Sequence, residues 1–351
     1  MAATLKDVAL RAGVSIKTVS NVVNGYVHVK EEMRERVRVA LDELNYQPNL
    51  SARYLRTGRM GVITLAIPDL SNAYFSDIGN AVIAAASSQS YTVLIDHTDG
   101  ERAKERLVID GLRPHLIDGI ILSPLGLEAE DIQVRKVQIP LVLLGERFLS
   151  NTYDHVSIDN VAAARLATNH LLELGRRRIA AIGAPNALIG ETETARLRMN
   201  GYTEALTQKG LPIDPSLVIS MKPTHAVSEP HTVRVMFYKR EGGAEAMHQL
   251  LALEHPPDAV FCFNDLMALG AIHLLHKAGY RVPDDVAVVG FDDIEEGRFS
   301  TPPLTTIAPD KKMIGELAVS FLLGRINGTR TVEPEHVEVP FQLVIRESTA
   351  G

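Results

Sequence analysis

The sequence of 351 residues holds one cysteine, Cys262, which excludes an intrachain disulfide framework and a cysteine-based zinc site. Cys262 stands in the apolar run Ala259-Val260-Phe261-Cys262-Phe263, where a thiol reads as a small buried hydrophobe rather than a reactive group. No run of about 18 apolar residues occurs, so no membrane-spanning helix is expected. The opening Met1-Ala2-Ala3-Thr4-Leu5-Lys6-Asp7 carries no apolar leader segment, which reads as a cytoplasmic protein. Catalytic motifs are scarce too. No G-x-G-x-x-G follows a strand pattern, no Walker loop or G-x-S-x-G elbow is present, and the 12 histidines show no H-E-x-x-H or other ligand spacing. Neither a cofactor, a metal nor a catalytic constellation is expected.

The length calls for two or three domains with sizeable cores, and 46% hydrophobic with 23% charged residues is ordinary for a globular chain. The net charge of -7 is unevenly spread. Residues 1–60 hold ten Lys/Arg against six Asp/Glu, or +4, and the remainder carries -11. A small basic module on an acidic body fits a protein in which only the module meets a polyanion; a merely solvated charged surface is the alternative.

The basic module reads as three helices. The first opens at Thr4-x-x-Asp7, a capping-box pattern, with Leu5, Val8, Ala9 and Ala12 as its apolar stripe. Gly13 supplies a turn, and Ser15 is a good N-cap for a second helix to Asn24, with Gly25 as the stop. Its spacing buries Val19, Val22 and Val23 and turns Ile16, Lys17, Ser20, Asn21 and Asn24 outward. Two short helices around a Gly-containing turn make a helix-turn-helix whose second helix suits a major groove. A third helix is expected over Glu31–Asn45, with Met33, Val37, Leu41 and Leu44 inward, although Val29-Lys30-Glu31 offers no side-chain cap. Pro48 then breaks the chain, Asn49 can cap, and Thr57-Gly58 stops a two-turn segment that is marginal in water and helical only when something holds it. A flexible basic linker is the other reading.

From Gly61 onward, apolar runs alternate with amphipathic helices. The expected strands are 61–67, 91–95, 119–122, 141–144, 178–183, 217–219, 259–263 and 286–291, and the expected helices include 77–90, 102–113, 161–174, 195–208, 242–253 and 266–278. Such a pattern means two doubly wound parallel sheets in tandem, each covered on both faces. Lys222–Arg234 fits no element and reads as a surface excursion. Ligands of open α/β sheets bind beyond the carboxyl ends of the strands. Those ends offer Pro68–Phe75, Ser123-Pro124, Gly145-Glu146-Arg147, Asn264-Asp265 and Asp292-Asp293, a mix of aromatics, carboxylates, amides and arginine that suits a small polar ligand between two lobes. Alternatives stand beside each: Asn264 and Asp265 read equally as helix caps, Tyr74 and Phe75 as lobe core, and Asp293 as a turn residue.

These motifs have a known counterpart. Thr4-Leu5-x-Asp7-Val8-Ala9-x-x-Ala12-Gly13-Val14-Ser15-x-x-Thr18-Val19-Ser20 and Tyr46-x-Pro48-Asn49-x-x-Ala52-Arg53-x-Leu55 resemble the signature of the lactose-repressor (LacI/GalR) family of bacterial transcription regulators. So do Asn264-Asp265-x-Met267-Ala268-x-Gly270-Ala271, Val282-Pro283-x-Asp285-Val286, Val289-Gly290-Phe291-Asp292-Asp293 and Pro303-Leu304-Thr305-Thr306-Ile307, so the resemblance covers residues 4–349.

The resemblance implies a helix-turn-helix headpiece (1–47), a hinge helix (48–59) and a two-lobed core like periplasmic binding proteins. The N-terminal lobe would comprise 60–161 with about 309–338, and the C-terminal lobe 162–308 with about 339–351. It implies DNA contacts from Thr4, Ser15, Ile16, Lys17, Thr18, Ser20, Asn21, Asn24, Asn49, Ala52, Arg53, Leu55 and Arg56, Leu55 being the hinge residue that wedges into the minor groove. It places Tyr74, Phe75, Thr194, Arg198, Tyr238, Asn264 and Asp292 at effector-contacting positions, together with Arg147 and Asp159. Gly145-Glu146-Arg147 departs from the commoner Asp-Arg ending of that strand.

The expected function is a regulator, more a repressor than an activator, binding a palindromic operator as a homodimer under control of a small-molecule effector such as a sugar. Two other readings are a solute-binding protein with an N-terminal appendage and an α/β enzyme.

Overall fold

The structure, a computed structural model, describes residues 3–23, 28–46, 58–111, 116–147, 152–185, 193–220 and 238–350. Asn24, Gly25, the hinge positions up to Thr57 and the Lys222–Arg234 excursion lie outside the described residues. The chain forms two compact units, 1–60 and 61–351.

The first unit holds α1 (Leu5–Ala12), α2 (Ile16–Val23) and α3 (Glu31–Glu43). The Thr4 hydroxyl accepts from the Asp7 amide at 3.3 Å while the Asp7 carboxylate accepts from the Thr4 amide at 2.9 Å, satisfying two donors that a helix start leaves unpaired. Gly13 takes a left-handed φ of +63°, which ends α1 and lets the chain turn into α2. The Ser15 hydroxyl accepts from the Thr18 amide at 3.1 Å. Val8, Ala9, Ala12, Val19, Val37 and Ala40 form the buried centre. The Arg36 guanidinium ties α3 to the end of α1 by donating to the Ala12 carbonyl at 2.7 Å. Ala40 takes the inward place expected of Met33, which lies in the first turn of α3 and is 38% exposed. Lys30 precedes α3 and makes no side-chain capping bond.

The second unit begins with β1 (Val62–Ile67), α4 (Ala73–Ser88), β2 (Thr92–His97), α5 (Arg102–Ile109), β3 (Gly119–Leu122), α6 (Ala129–Gln133), β4 (Leu141–Leu144) and β5 (Asp154–Ser157). There follow α7 (Asn160–Glu173), β6 (Ile179–Ala184), α8 (Glu193–Gln208), β7 (Val218–Ser220), α9 (Arg240–Leu251), β8 (Ala259–Cys262), α10 (Asp265–Lys277) and β9 (Ala287–Phe291). The chain ends with α11 (Glu295–Arg298), β10 (Thr305–Pro309), α12 (Lys311–Asn327), β11 (His336–Glu338) and β12 (Phe341–Val344).

Two six-stranded sheets result, ordered β11-β5-β4-β3-β1-β2 and β12-β10-β9-β8-β6-β7. All pairings are parallel except β10 with β12. β3, β4, β6, β8 and β9 are wholly buried, as expected for strands covered on both faces. The chain passes between the sheets after β5, after β10 and from β11 to β12.

Three local features escaped the apolar pattern. Helix α4 begins at Ala73 rather than Asp77, because the Asn72 side chain caps it by accepting from the Tyr74 amide at 3.1 Å. Strand β5, Asp154-His155-Val156-Ser157, is polar yet buried. Its Asp154 accepts from Arg325 at 2.7 Å and from Arg330 at 3.0 Å. Burial pushes the Asp154 carboxyl up, but those guanidinium bonds and the Glu335 amide outweigh it and hold the group below its ordinary value. Finally, α9 and α10 meet backbone to backbone, since a Cβ on Gly270 would lie 1.9 Å from the Arg240 carbonyl and one on Gly243 would lie 2.1 Å from that of Met267.

Candidate functional site

Two surfaces carry the residues singled out in the sequence. The first is the outer face of α2. Ile16 is 49% exposed, Thr4, Ser15 and Lys17 are exposed, and Thr18, Ser20 and Asn21 are half-buried. Arg11, Arg34 and Arg38 pair with Glu43, Glu31 and Glu35. Lys17 has no ion-pair partner among the described residues and is available to an acceptor outside the chain. No carboxylate lies within α2. Lysine can donate to guanine O6/N7 and asparagine can pair with adenine, so Lys17 and Asn21 can address base edges. Asn24, Asn49, Ala52, Arg53, Leu55 and Arg56 lie outside the described residues.

The second surface is a cavity of about 170 Å³ at the carboxyl ends of both sheets. It is lined by the α4 cap Asn72, by Tyr74, Phe75 and Ile78 of α4, by Ser123–Leu125 after β3, by Gly145–Arg147 after β4 and by Val156–Ile158 around the end of β5. From the second sheet come Glu193–Ala195 and Arg198 of α8, Tyr238, Phe263, Asn264 and Asp292; Ile314 of α12 completes the lining. Tyr74, Phe75, Arg147, Thr194, Arg198, Tyr238, Asn264 and Asp292 are therefore brought together. Asp159 is not among them. It precedes α7 and its carboxylate accepts from the Ala162 amide at 2.8 Å, so its side chain is spent on a helix cap.

Arg198 is the fixed post of the site. Its Nε donates to the Asn160 side-chain oxygen at 2.7 Å, its Nη1 donates to the Phe263 carbonyl, and its guanidinium stacks 3.4 Å from the centre of the Phe291 ring. Its Nη2 stands 3.9 Å from Asp292. Burial pushes the Asp292 carboxyl up to about 7; Arg198 and Lys311 pull it down, and Glu146 and Asp77 push it further up. Asp292 and Asp293 follow β9 with φ of +114° and +50°, a rare backbone for side-chain-bearing residues. Lys311 holds that bend by donating to both residues' carbonyls, at 2.9 and 3.0 Å, and binds Asp77 of α4 at 2.5 Å. Asn264 serves twice. Its side-chain oxygen caps α10 through the Met267 amide at 2.8 Å, and its amide donates to the Tyr238 carbonyl at 2.9 Å. Asp265 instead turns inward and is fully buried against Thr306 and the Ile294 amide.

On the opposite wall the Tyr74 and Phe75 rings meet edge to face at 5.3 Å. Burial, followed by Asp292 and Glu146, raises the Tyr74 hydroxyl above its ordinary pKa, so it remains a donor. Glu146 accepts from the Thr194 hydroxyl at 2.7 Å, a bond between the strand end of one sheet and a helix of the other. Arg147 donates to the Leu127 carbonyl at 2.8 Å and to Glu128 at 3.0 Å. Buried Glu105 braces the neighbouring loop by accepting from the Leu125, Gly126 and Leu127 amides at 2.8–2.9 Å.

Residues 4–49 match the model of bacterial regulatory proteins of the lacI family, and residues 168–349 match a periplasmic binding protein-like domain. The HTH-type transcriptional repressor CytR of Escherichia coli (strain K12) is 34% identical over 99% of this chain and 96% of its own length.

This chain belongs to the LacI family.

A lac repressor dimer bound to operator and the anti-inducer ONPF superposes with a TM-score of 0.77 at 28% identity, covering 100% of both chains. A CelR–cellobiose complex gives 0.69 at 30% identity over 99% of each. As a LacI-family member the protein is a DNA-binding transcriptional regulator whose periplasmic-binding-like core takes an effector. Glu193 and Ile314 are among the positions that the sequence pattern does not mark, while Asn72, Ser123 and Glu146 are marked only as strand ends. The signal for Asn72 was its ability to cap; Ile314 lies far along the chain, and only the return of α12 to the first sheet brings it here.

Proposed function

We propose that this LacI-family regulator represses transcription as a cytoplasmic, non-enzymatic homodimer on a two-fold symmetric operator. Ile16, Lys17 and Asn21 read bases, and Leu55 with Arg53 and Arg56 engages the operator centre. The effector is a small polyhydroxylated molecule of sugar type held between the two sheets by Tyr74, Phe75, Arg198, Asn264 and Asp292. The observation that carries this reading is a ligand-sized cleft at the strand ends, lined by aromatic, amide and charged side chains, in the same chain as a helix-turn-helix with an outward polar face. The cellobiose in the CelR complex is consistent with that effector class. Ligand that binds the two lobe arrangements with different affinity shifts DNA occupancy by that difference. A solute-binding role would leave the exposed α2 face without a purpose.

Selection of duplexes from a random library, followed by thermal-shift screening against sugars, tests both halves. A two-fold symmetric motif and at least one stabilising sugar are expected. An asymmetric or empty selection contradicts the operator reading, and a panel without effect contradicts the effector reading.

A further inference from the structure

Resting on the reading of the cleft as the effector site, we propose that Lys311 is a positioning residue that couples the cleft to operator binding by tying the two walls of the cleft together. Lys311 opens α12, just after the chain crosses from β10 of the second sheet to a helix that packs on the first. An ammonium has three donors and no acceptor. Here it meets three acceptors: the Asp77 carboxylate of α4 at 2.5 Å and the carbonyls of Asp292 and Asp293 at 2.9 and 3.0 Å. Asp292 lines the cavity on one side, and Tyr74, Phe75 and Ile78 around Asp77 line it on the other, whereas Lys311 is not among the lining residues.

The two ends of this clasp belong to different bodies. Asp310 fixes the start of α12 by accepting from the Met313 amide at 2.9 Å, and α12 lies so close to α4 that a Cβ on Gly315 would stand 2.7 Å from that of Ala81. Lys311 therefore travels with α4. The bend at Asp292–Asp293 travels with the second sheet, because the Asp292 amide donates to the Ile307 carbonyl at 2.8 Å and the Asp293 carboxylate accepts from Arg298 at 2.7 Å and from Arg346 at 2.5 Å. Side-chain-bearing residues keep a positive φ only where their surroundings hold it, and the Lys311 ammonium holds this bend from the side of the first sheet. A ligand that draws on Asp292 thus pulls on α4 through one ammonium. The two walls then change arrangement together, as a two-state element must if one site is to bias another. Two further bridges join the halves, Glu146 with Thr194 at 2.7 Å and Lys239 with Asp69 at 3.7 Å, and neither includes a residue of the bend.

Fluorescence anisotropy on the selected operator and titration calorimetry, both with the full-length protein and with D-ribose, D-glucose, D-galactose and cellobiose, test this. Saturation with a sugar that the parent binds should change the parent's operator Kd at least tenfold. In K311M that change should fall to twofold or less, while the sugar Kd stays within about fivefold of the parent because no ligand contact is lost. D77N, which breaks the clasp from the α4 end and keeps the shape of the side chain, should shrink the change at least threefold and gives the readout if K311M does not fold. K239A, at a bridge away from the bend, should keep the change within twofold of the parent. A full change retained at saturating sugar in K311M or D77N overturns the proposal and leaves the effector reading standing, even where sugar affinity has dropped: a merely structural loss weakens the sugar without altering what saturation does. A loss in K239A equal to that in K311M overturns it as well. Silence of the whole panel on the parent, in sugar binding and operator affinity alike, overturns the effector reading and this proposal with it.

Discussion

The face of α2 and the cleft of the core are built by opposite means. Ile16, Lys17 and Asn21 lie within two turns of one helix, exposed or half-buried, and their common direction follows from 3.6 residues per turn. The cleft gathers Tyr74, Glu146, Arg198, Asn264 and Asp292 from five separate segments, and its side chains are positioned by other side chains. A face proposed to read bases must be free to meet a partner, whereas side chains proposed to hold an effector must be positioned in advance. The difference shows in the charges: Lys17 has no ion-pair partner among the described residues, while Arg198 is held by the Asn160 side chain, the Phe263 carbonyl and the Phe291 ring.

Four perturbations sharpen this contrast, three substitutions taken from the largest effect to the smallest and then a change of pH. Asp154→Ala strikes only the core. It removes the acceptor shared by Arg325 and Arg330, and should cost about 3 kcal/mol in urea unfolding of the core, the low end for breaking a buried pair. The low end applies because Arg325 keeps the Val332 carbonyl and Arg330 keeps Glu335. Asn21→Ala strikes only the reading face, and should relax base preference at one operator position by about 1–3 kcal/mol in competition binding, with core melting unchanged. Ser15→Ala removes the cap of α2 and should lower the stability of the first unit by about 1 kcal/mol, measured on its helical signal.

The fourth perturbation is pH. The folded state raises the Asp292 carboxyl from 3.8 to about 7, so between those values the native protein holds a proton that the unfolded chain has released. The Asp292 contribution therefore falls as pH rises from about 4 to 7 and is constant above. Asp292→Asn should flatten that part of the stability–pH curve. An unchanged slope would show that Asp292 is not the titrating group.

How much could be read in advance follows the same division. The capping box at Thr4, the turn at Gly13 and the outward face of α2 are encoded within a few residues, and the two tandem sheets were visible as apolar runs. Strand β5 was not visible because Asp154 is buried by arginines about 170 residues away, which no local pattern reports. Helix α4 started earlier than its apolar stripe because the cap, not the stripe, sets the start. In the cleft, strand ends and family resemblance located most of the lining, but Asp159 was misplaced. An acidic residue before a helix satisfies the helix as readily as a ligand, and here it caps α7. Conversely, Glu146 and Lys311 acquire their roles through partners in distant segments, Thr194 and the Asp292–Asp293 bend.

The central claim is that occupancy of the cleft sets DNA affinity. Fluorescence anisotropy of the full-length protein on its selected operator, titrated with and without a sugar that raises its melting temperature, tests this most directly. The account predicts at least a tenfold change in operator Kd and, by linkage, the same factor in sugar affinity when operator is present, with the ratio falling to one in Asp292→Ala. An operator Kd unmoved by saturating sugar, or a shift that persists in Asp292→Ala, would contradict it.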